Sequence, residues 1–370
     1  MLLQLARSVG ASDVHWSTGE EAWLRLDGQL RRVSAFGASN SLFCPDMSRV
    51  LCAQDVEDIC TALRQAQGSI TPLTLHSSFQ RHDLDFAVTL PELGRFRVNA
   101  FAQARGPALA LRLIPKEMPQ LTHLKAPACV AGWGMQRHGL LLFTGPTGSG
   151  KSTLLAALLH HINTERKLHI LTLEDPIEFI HTSDNSLVHQ REVGRDTPDF
   201  ESGLRAALRE DPDVLLVGEL RDSQTIQLAL TAAETGHLVM ATLHTASAPQ
   251  AIDRLVDAFP SHEREGVRAL IAESLVAVLT QTLCPHRSGQ GRVAAHEIMV
   301  ATPAVRNLVR EGKVSQLYAL LQTGQAVGMQ TLDQSLLRLF ESQEISQQTL
   351  SKFRKYPQNP KLVDNHGFKD

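Results

Sequence analysis

No run in this 370-residue chain approaches the ~18 consecutive apolar residues of a membrane-spanning helix, and the N-terminus carries no secretory-leader pattern. No transmembrane segment is therefore expected. The start, Met1 to Gly10, reads instead as a short amphipathic stretch packing on its own domain through Leu2, Leu3, Leu5 and Val9. Cysteine is scarce and scattered: Cys44, Cys52, Cys60, Cys129 and Cys284 are odd in number and form no CxxC pair. That argues against a disulfide framework or a zinc knuckle and for reduced thiols in a cytoplasmic protein. A basic surplus is missing as well, with 36 Lys and Arg against 39 Asp and Glu and a net charge of −3. A general nucleic-acid binder shows the opposite balance, so no nucleic acid is expected, although an average leaves room for a local basic groove. Neither an internal repeat nor a low-complexity tract is seen.

What remains is an ordinary globular composition, 43% hydrophobic and 20% charged, at a length that favours two domains. Residues 1–115 read as a small α+β domain. Ala22 to Leu26 and Leu30 to Val33 are short strands joined by Asp27-Gly28, a tight-hairpin signal. Arg49 to Gln67 has helical periodicity, and Leu84 to Leu90, Arg95 to Ala102 and Ala108 to Ile114 read as strands. Pro115 to Pro127 carries three prolines and little periodicity, so 116–127 is taken as a linker. From 128 to 355 the apolar runs Leu140 to Thr144, Leu168 to Leu173, Val214 to Val217 and Leu238 to Leu243 alternate with helical stretches such as Ser152 to Ile162. Buried strands separated by helices predict an α/β domain with a mostly parallel sheet covered on both faces. Beyond Arg264 the expectation is mainly helix, with a β-like piece near Arg292 to Val300, and 356–370 reads as a flexible tail.

Gly145, Pro146, Thr147, Gly148, Ser149, Gly150, Lys151 and Ser152 fit GxxxxGK[ST] in full, after a buried strand and before a helix that takes in Thr153. Glycines let backbone N–H groups converge on phosphate oxygens, and the helix N-terminus adds a favourable dipole. Lys151 can reach the β- and γ-phosphates of ATP, and the Ser152 hydroxyl can ligate Mg²⁺. Nucleotide binding follows from this pattern more firmly than anything else in the chain.

Two apolar strands end in acids. Val214 to Val217 runs into Gly218-Glu219, where a carboxylate can support Mg²⁺ through water or polarise the attacking water, and a glutamate favours the second role. Leu173 is followed by Glu174, Asp175 and Glu178, of which Glu174, nearest the strand, is the preferred second acid. A third strand is bracketed by His237 and His244; His244, on the same edge as the acids, reads as a γ-phosphate sensor and His237 as structural. In Gly94 to Asn99 the residues alternate, so Arg95 and Arg97 share a strand face, and Arg112 lies inside the otherwise apolar Leu111-Arg112-Leu113. Arginine in such a setting needs an anion. An internal ion pair and an arginine finger reaching a neighbouring subunit's phosphates are both open readings.

Together these residues resemble the PilT family of type IV pilus retraction ATPases, within the wider type II/IV secretion ATPases. The likeness covers nearly the whole chain. It runs through Ser12-Asp13-Val14-His15, the phosphate loop, the acidic box, Arg205 to Thr245, Ala294 to Met299 and Ala304 to Leu308. The resemblance implies a PAS-like N-terminal domain joined to a RecA-like P-loop motor with C-terminal helices, assembled as a homohexamer. It implies catalytic roles for Glu219 and Glu174, nucleotide contacts from Arg97 and Arg112, and ATP with Mg²⁺ as ligands. Ala304 to Leu308 matches a motif linked to retraction rather than to ATP binding. An inner-membrane pilus platform protein and a paralogous motor ATPase are the implied partners, and the implied location is cytoplasmic, peripheral at the inner membrane. Six residues after Cys284-Pro285, Gly291-Arg292-Val293 leaves no room for the tetracysteine insertion of assembly and secretion relatives, which favours retraction. The alternatives are a pilus assembly or secretion ATPase, and an ATP-binding regulatory subunit without turnover.

Overall fold

Apolar residues at every second position commit the N-terminal strands to a sheet with one dry and one wet face. In the computed structural model, which describes residues 1–26, 28–37, 42–68 and 83–355, the chain divides into two compact units. The first comprises Met1–Met118 with Pro176–Ile180, and the second Pro119–Asp175 with His181–Asp370.

The first unit is built on β1 (Asp13–Ser17), β2 (Trp23–Leu26), β3 (Gln29–Arg32), β4 (Leu84–Leu90), β5 (Gly94–Gln103) and β6 (Gly106–Leu113). They form an antiparallel sheet in the order β3-β2-β1-β6-β5-β4. Val14, Leu24, Phe96, Val98, Leu109 and Leu111 make its dry face, packed with Leu3 and Ala6 of the Leu2–Ser8 helix and with Val56, Cys60 and Leu63 of the Ala53–Ala66 helix. Each Val, Leu or Phe among them contributes about 1.5–3 kcal/mol on full burial. The first residues thus pack on their own unit, as their amphipathic spacing suggests. The second helix starts at Ala53 rather than Arg49, because Pro45–Ser48 forms a separate 3₁₀ turn and the Asp55 carboxylate accepts the Cys52 N–H at 2.7 Å, capping the helix there. Leu26 pairs with Gln29, and Gly28 has φ 82°, as a tight hairpin requires; Asp27 lies outside the described residues, as does the expected tail at 356–370.

The second unit holds β7 (Gly139–Thr144), β8 (His169–Glu174), β9 (Leu187–Glu192), β10 (Val214–Val217), β11 (Leu238–Leu243), β12 (Leu275–Pro285) and β13 (Arg292–Val300), in the order β13-β12-β7-β11-β10-β8-β9. All neighbours run parallel except the β12–β13 hairpin. β7, β10 and β11 are buried at every position, so both faces must be covered. On one face Leu141, Phe143, Val214, Leu216 and Met240 meet the Lys151–Glu165 helix. On the other, Leu140, Leu142, Leu171, Leu215 and Val239 meet the Ser223–Glu234 and Ala248–Asp257 helices.

β12 corrects the expectation of a mainly helical region beyond Arg264: the Arg264–Ser274 helix stops, and an 11-residue strand follows. Val276, Val278, Thr280 and Thr282 recur at every second position, a β-branched pattern that favours strand. An apolar run buried on both sides hides that period, and pairing with β7 and β13 decides it. β1 and β9 are likewise strands that the sequence reading did not assign.

Candidate active site

The phosphate loop leaves β7 in backbone conformations that need glycine. Gly145, Gly148 and Gly150 have φ of 140°, 76° and 86°. The space is as restrictive as the torsion at Gly145, where an added Cβ would stand 2.3 Å from the backbone oxygen of Gln281. The Lys151–Glu165 helix is capped by the loop's last glycine, so its first free N–H groups point into the cradle that the loop forms. Lys151 is buried, and its Nζ donates to the carbonyls of Gly145 at 2.7 Å and Pro146 at 3.1 Å. The Ser149 hydroxyl is buried with no partner, while Ser152 and Thr147 are exposed and Thr153 is half-buried. A lysine folded onto its own loop and an orphaned hydroxyl beside it suit a polyphosphate, whose oxygens would take over both.

Parallel pairing then brings the other motifs to the same edge. Thr144 is level with Leu243, Ala241 with Val217, and Val217 with Leu173. At or just beyond these strand ends lie Gly145, His244, Gly218-Glu219 and Glu174, from four adjacent strands. Backbone bonds lock the turn: Gly218 N–H donates to Leu173 O at 2.7 Å, Leu220 N–H to Thr242 O at 3.1 Å, and the Thr242 hydroxyl to Gly218 O. The Glu219 carboxylate accepts from Arg221 at 2.8 Å through Oε2, and its Oε1 lies 3.5 Å from His244 Nε2. Burial chiefly, and then the Lys151 ammonium, hold the His244 imidazole below the ordinary histidine range; Glu219 opposes the shift and Arg221 adds to it. Lys151, Glu219, Arg221 and His244 thus share one electrostatic neighbourhood. Glu174 accepts from Thr172 Oγ1 at 2.7 Å and Gln190 Nε2 at 3.1 Å, and a Cβ on Gly218 would meet its Cα at 3.3 Å, so this acid lies beside the Glu219 turn. His237, at the other end of β11, is bonded through Nδ1 to Ala232 O at 3.0 Å.

Arg97 and Arg112 lie in the other unit. They are cross-strand partners on β5 and β6, and Arg112 is also level with Asp13, which is level with Arg25. Arg97 grips Asp85 at 2.6 and 3.2 Å and lies 3.7 Å from Glu178; Arg112 Nε is 3.1 Å from Asp13. Arg112 lies inside the apolar strand β6 and is exposed: Leu111 points to the dry face and Arg112 to the wet one. Arg95, on the same face as Arg97, donates to Ile177 O at 2.8 Å. Within this chain the arginines are therefore ion-paired or hydrogen-bonded in their own unit.

Three contributors escaped sequence reasoning. Arg221 carries a signal in hindsight, two residues from Glu219. Thr280 and Gln281 had none, because β12 was not recognised: Thr280 Oγ1 meets Thr144 Oγ1 at 2.7 Å, and Gln281 touches the loop. The other C-terminal signatures have internal partners. Glu297, fully buried, accepts the Ala248 N–H at 2.7 Å, and Arg306 donates to Ala272 O and, at 2.7 Å, to Glu273 O, closing the end of the Arg264–Ser274 helix.

Residues 80–347 match the family model described as type II/IV secretion system protein. The chain is 50% identical to a twitching motility protein of Neisseria gonorrhoeae, covering 85% of this chain and 79% of that one. It is 46% identical to the type IV pilus retraction ATPase PilT of Pseudomonas aeruginosa, covering 97% and 98%. The crystal structure of the pilus retraction motor PilT with bound ADP superposes with a TM-score of 0.82 at 38% identity, over 96% of both chains.

Proposed function

This chain belongs to the type II/IV secretion system protein family, and on that premise we propose that it is an ATP hydrolase, assembled as a homohexamer, that powers type IV pilus retraction. The observation that carries the reading is the single strand edge where the phosphate loop, Glu219 and His244 meet, with Glu219 Oε1 3.5 Å from the imidazole. In this reading the loop N–H groups and Lys151 bind the β- and γ-phosphates, Lys151 exchanging the Gly145 and Pro146 carbonyls for phosphate oxygens. Glu219 accepts the proton of the attacking water. Arg221 already occupies Oε2, so Oε1 is the atom that takes it. A neutral His244, kept so by burial and Lys151, donates a hydrogen bond to the γ-phosphate without adding charge in the resting state. Glu174 orders the water from the neighbouring strand end.

The donors on offer fit Mg²⁺, since the Ser152 hydroxyl and the strand-end carboxylates are hard oxygens. When bound, Mg²⁺ would be held by Ser152 and the nucleotide, and would neutralise charge on the phosphate oxygens. Arg97 and Arg112 act on a neighbouring subunit's nucleotide by exchanging Asp85 and Asp13 for phosphate. Their in-register placement on a wet sheet face supports this, because such half-exposed pairs hold by little net energy. The partner that receives the motion is an inner-membrane pilus platform protein, with a paralogous motor ATPase as a further partner, and the ring works at the cytoplasmic face of that membrane.

The test is phosphate release by the purified chain with magnesium ATP, run beside a native mass measurement. Turnover confined to a six-subunit species is the expected outcome. A monomer that hydrolyses as fast as the ring would remove the shared-site reading.

A further inference from the structure

The phosphate loop is fastened to the sheet by a residue that lies outside the loop motif. Gln281, on β12, is buried and meets the loop at three points. Its Nε2 donates to Ser149 O at 2.6 Å. An added Cβ at Gly150 would stand 2.8 Å from that same Nε2, and one at Gly145 would stand 2.3 Å from the Gln281 backbone oxygen. The far side of the amide is fixed as well, with Gln281 Oε1 3.1 Å from His296 Nε2 on β13.

The amide has only one orientation that satisfies both ends. Ser149 O can only accept, so the amide nitrogen faces the loop and the amide oxygen faces His296. His296 must then donate from Nε2–H. Burial keeps this imidazole neutral, with its pKa pushed down to about 4, so the Nε2–H tautomer is available at neutral pH. His296 is itself held by its backbone: its N–H donates to Ser335 Oγ at 3.0 Å, and its carbonyl accepts from Gln330 Nε2 at 2.8 Å. The line of buried bonds therefore runs from Gln330 and the Leu332–Glu341 helix through His296 and Gln281 to the loop.

We infer that Gln281 is a positioning residue for nucleotide binding, oriented by His296, which holds the Ser149 carbonyl back against β12. The peptide that carries the Ser149 carbonyl also carries the Gly150 N–H. Anchoring the carbonyl turns that N–H the opposite way, into the loop where phosphate oxygens bind. A loop held in this state loses no further freedom when the nucleotide arrives, so the effect falls on affinity more than on the chemical step. The inference rests on the reading that this loop binds ATP.

The experiment measures binding of a fluorescent ADP, KM and kcat for ATP, and the melting temperature. The variants are Gln281→Met, which keeps length and volume but removes the amide, and the pair His296→Leu and His296→Gln. Glutamine can place a donor near the position of the imidazole Nε2–H; leucine cannot. Gln281→Met is expected to raise the ADP Kd and the ATP KM about tenfold, the usual size for a buried carbonyl losing its donor, with kcat changed less than threefold. His296→Leu is expected to shift affinity the same way, and His296→Gln to restore most of it. A folded Gln281→Met with Kd within twofold of the parent would overturn the inference. So would equal ADP affinities for the two His296 variants, a comparison that stands even where Gln281→Met does not fold. Failure of the unaltered protein to bind ADP would instead remove the reading beneath it.

Discussion

Glu219 is hydrogen-bonded at one oxygen only, and that asymmetry is the chief lesson at the scale of single residues. Arg221 takes Oε2 at 2.8 Å, and His244 stands 3.5 Å from Oε1. The guanidinium is largely exposed, so its ion pair adds little to stability, but it fixes which carboxylate oxygen is available to water. Arg221→Ala is therefore expected to lower kcat about tenfold while KM and the melting temperature stay near the parent values. Steady-state kinetics with a thermal melt would check it, and an unchanged kcat would show that Glu219 does not need the arginine. At this scale the sequence carried the loop, both acids and His244, because each sits on a recognisable strand end. It could not place Arg97 and Arg112, whose partners Asp85 and Asp13 come from other strands of the sheet.

Among the elements, β7 and β12 matter most, because the loop is shaped by the second as much as by the first. Gly145 combines φ of 140° with a backbone oxygen of β12 where its Cβ would go. Gly145→Ala can relieve that clash only by parting β7 from β12, and it is expected to cost about 3 kcal/mol or more and to abolish nucleotide binding. A melt and an ADP titration measure the two losses; a variant as stable as the parent would mean that the strands separate freely. The reasons β12 stayed hidden in the sequence are physical. Its apolar run follows directly on a helix, both of its faces are covered for most of its length, and its register comes from the distant partners β7 and β13. The central strands of the second unit were legible to within a residue, because continuous apolar runs of that length between helices have few other uses. The Ala53–Ala66 helix was legible in its body and not in its start, which a local cap decides.

For the molecule as a whole, two buried histidines of the second unit should make stability fall in acid. His181 and His296 both belong to it, and burial pushes both imidazoles down to about 4, with His160 nearby adding to the shift at His181. Unfolding returns each to its ordinary value of 6.5, so between pH 6.5 and about 4 the unfolded chain binds protons that the folded chain refuses. Stability from these two groups is full above that window and is lost as the pH falls through it. The loss approaches about 3 kcal/mol for each at the acid end. Calorimetric melts at pH 7 and pH 4.5 are expected to differ by several degrees, with a shallower fall in His296→Gln; equal midpoints would contradict this.

The ring's proposed work rests on cleavage of ATP at one strand edge, and one contrast tests that most directly. Phosphate release and ADP binding are measured on the parent protein, Glu219→Gln and Lys151→Ala under the same magnesium ATP conditions. Glu219→Gln is expected to bind nucleotide as the parent does while turnover falls about a hundredfold or more, as befits loss of a general base, and Lys151→Ala is expected to lose both. Parent-level phosphate release from folded Glu219→Gln would contradict the assignment of this edge as the catalytic centre.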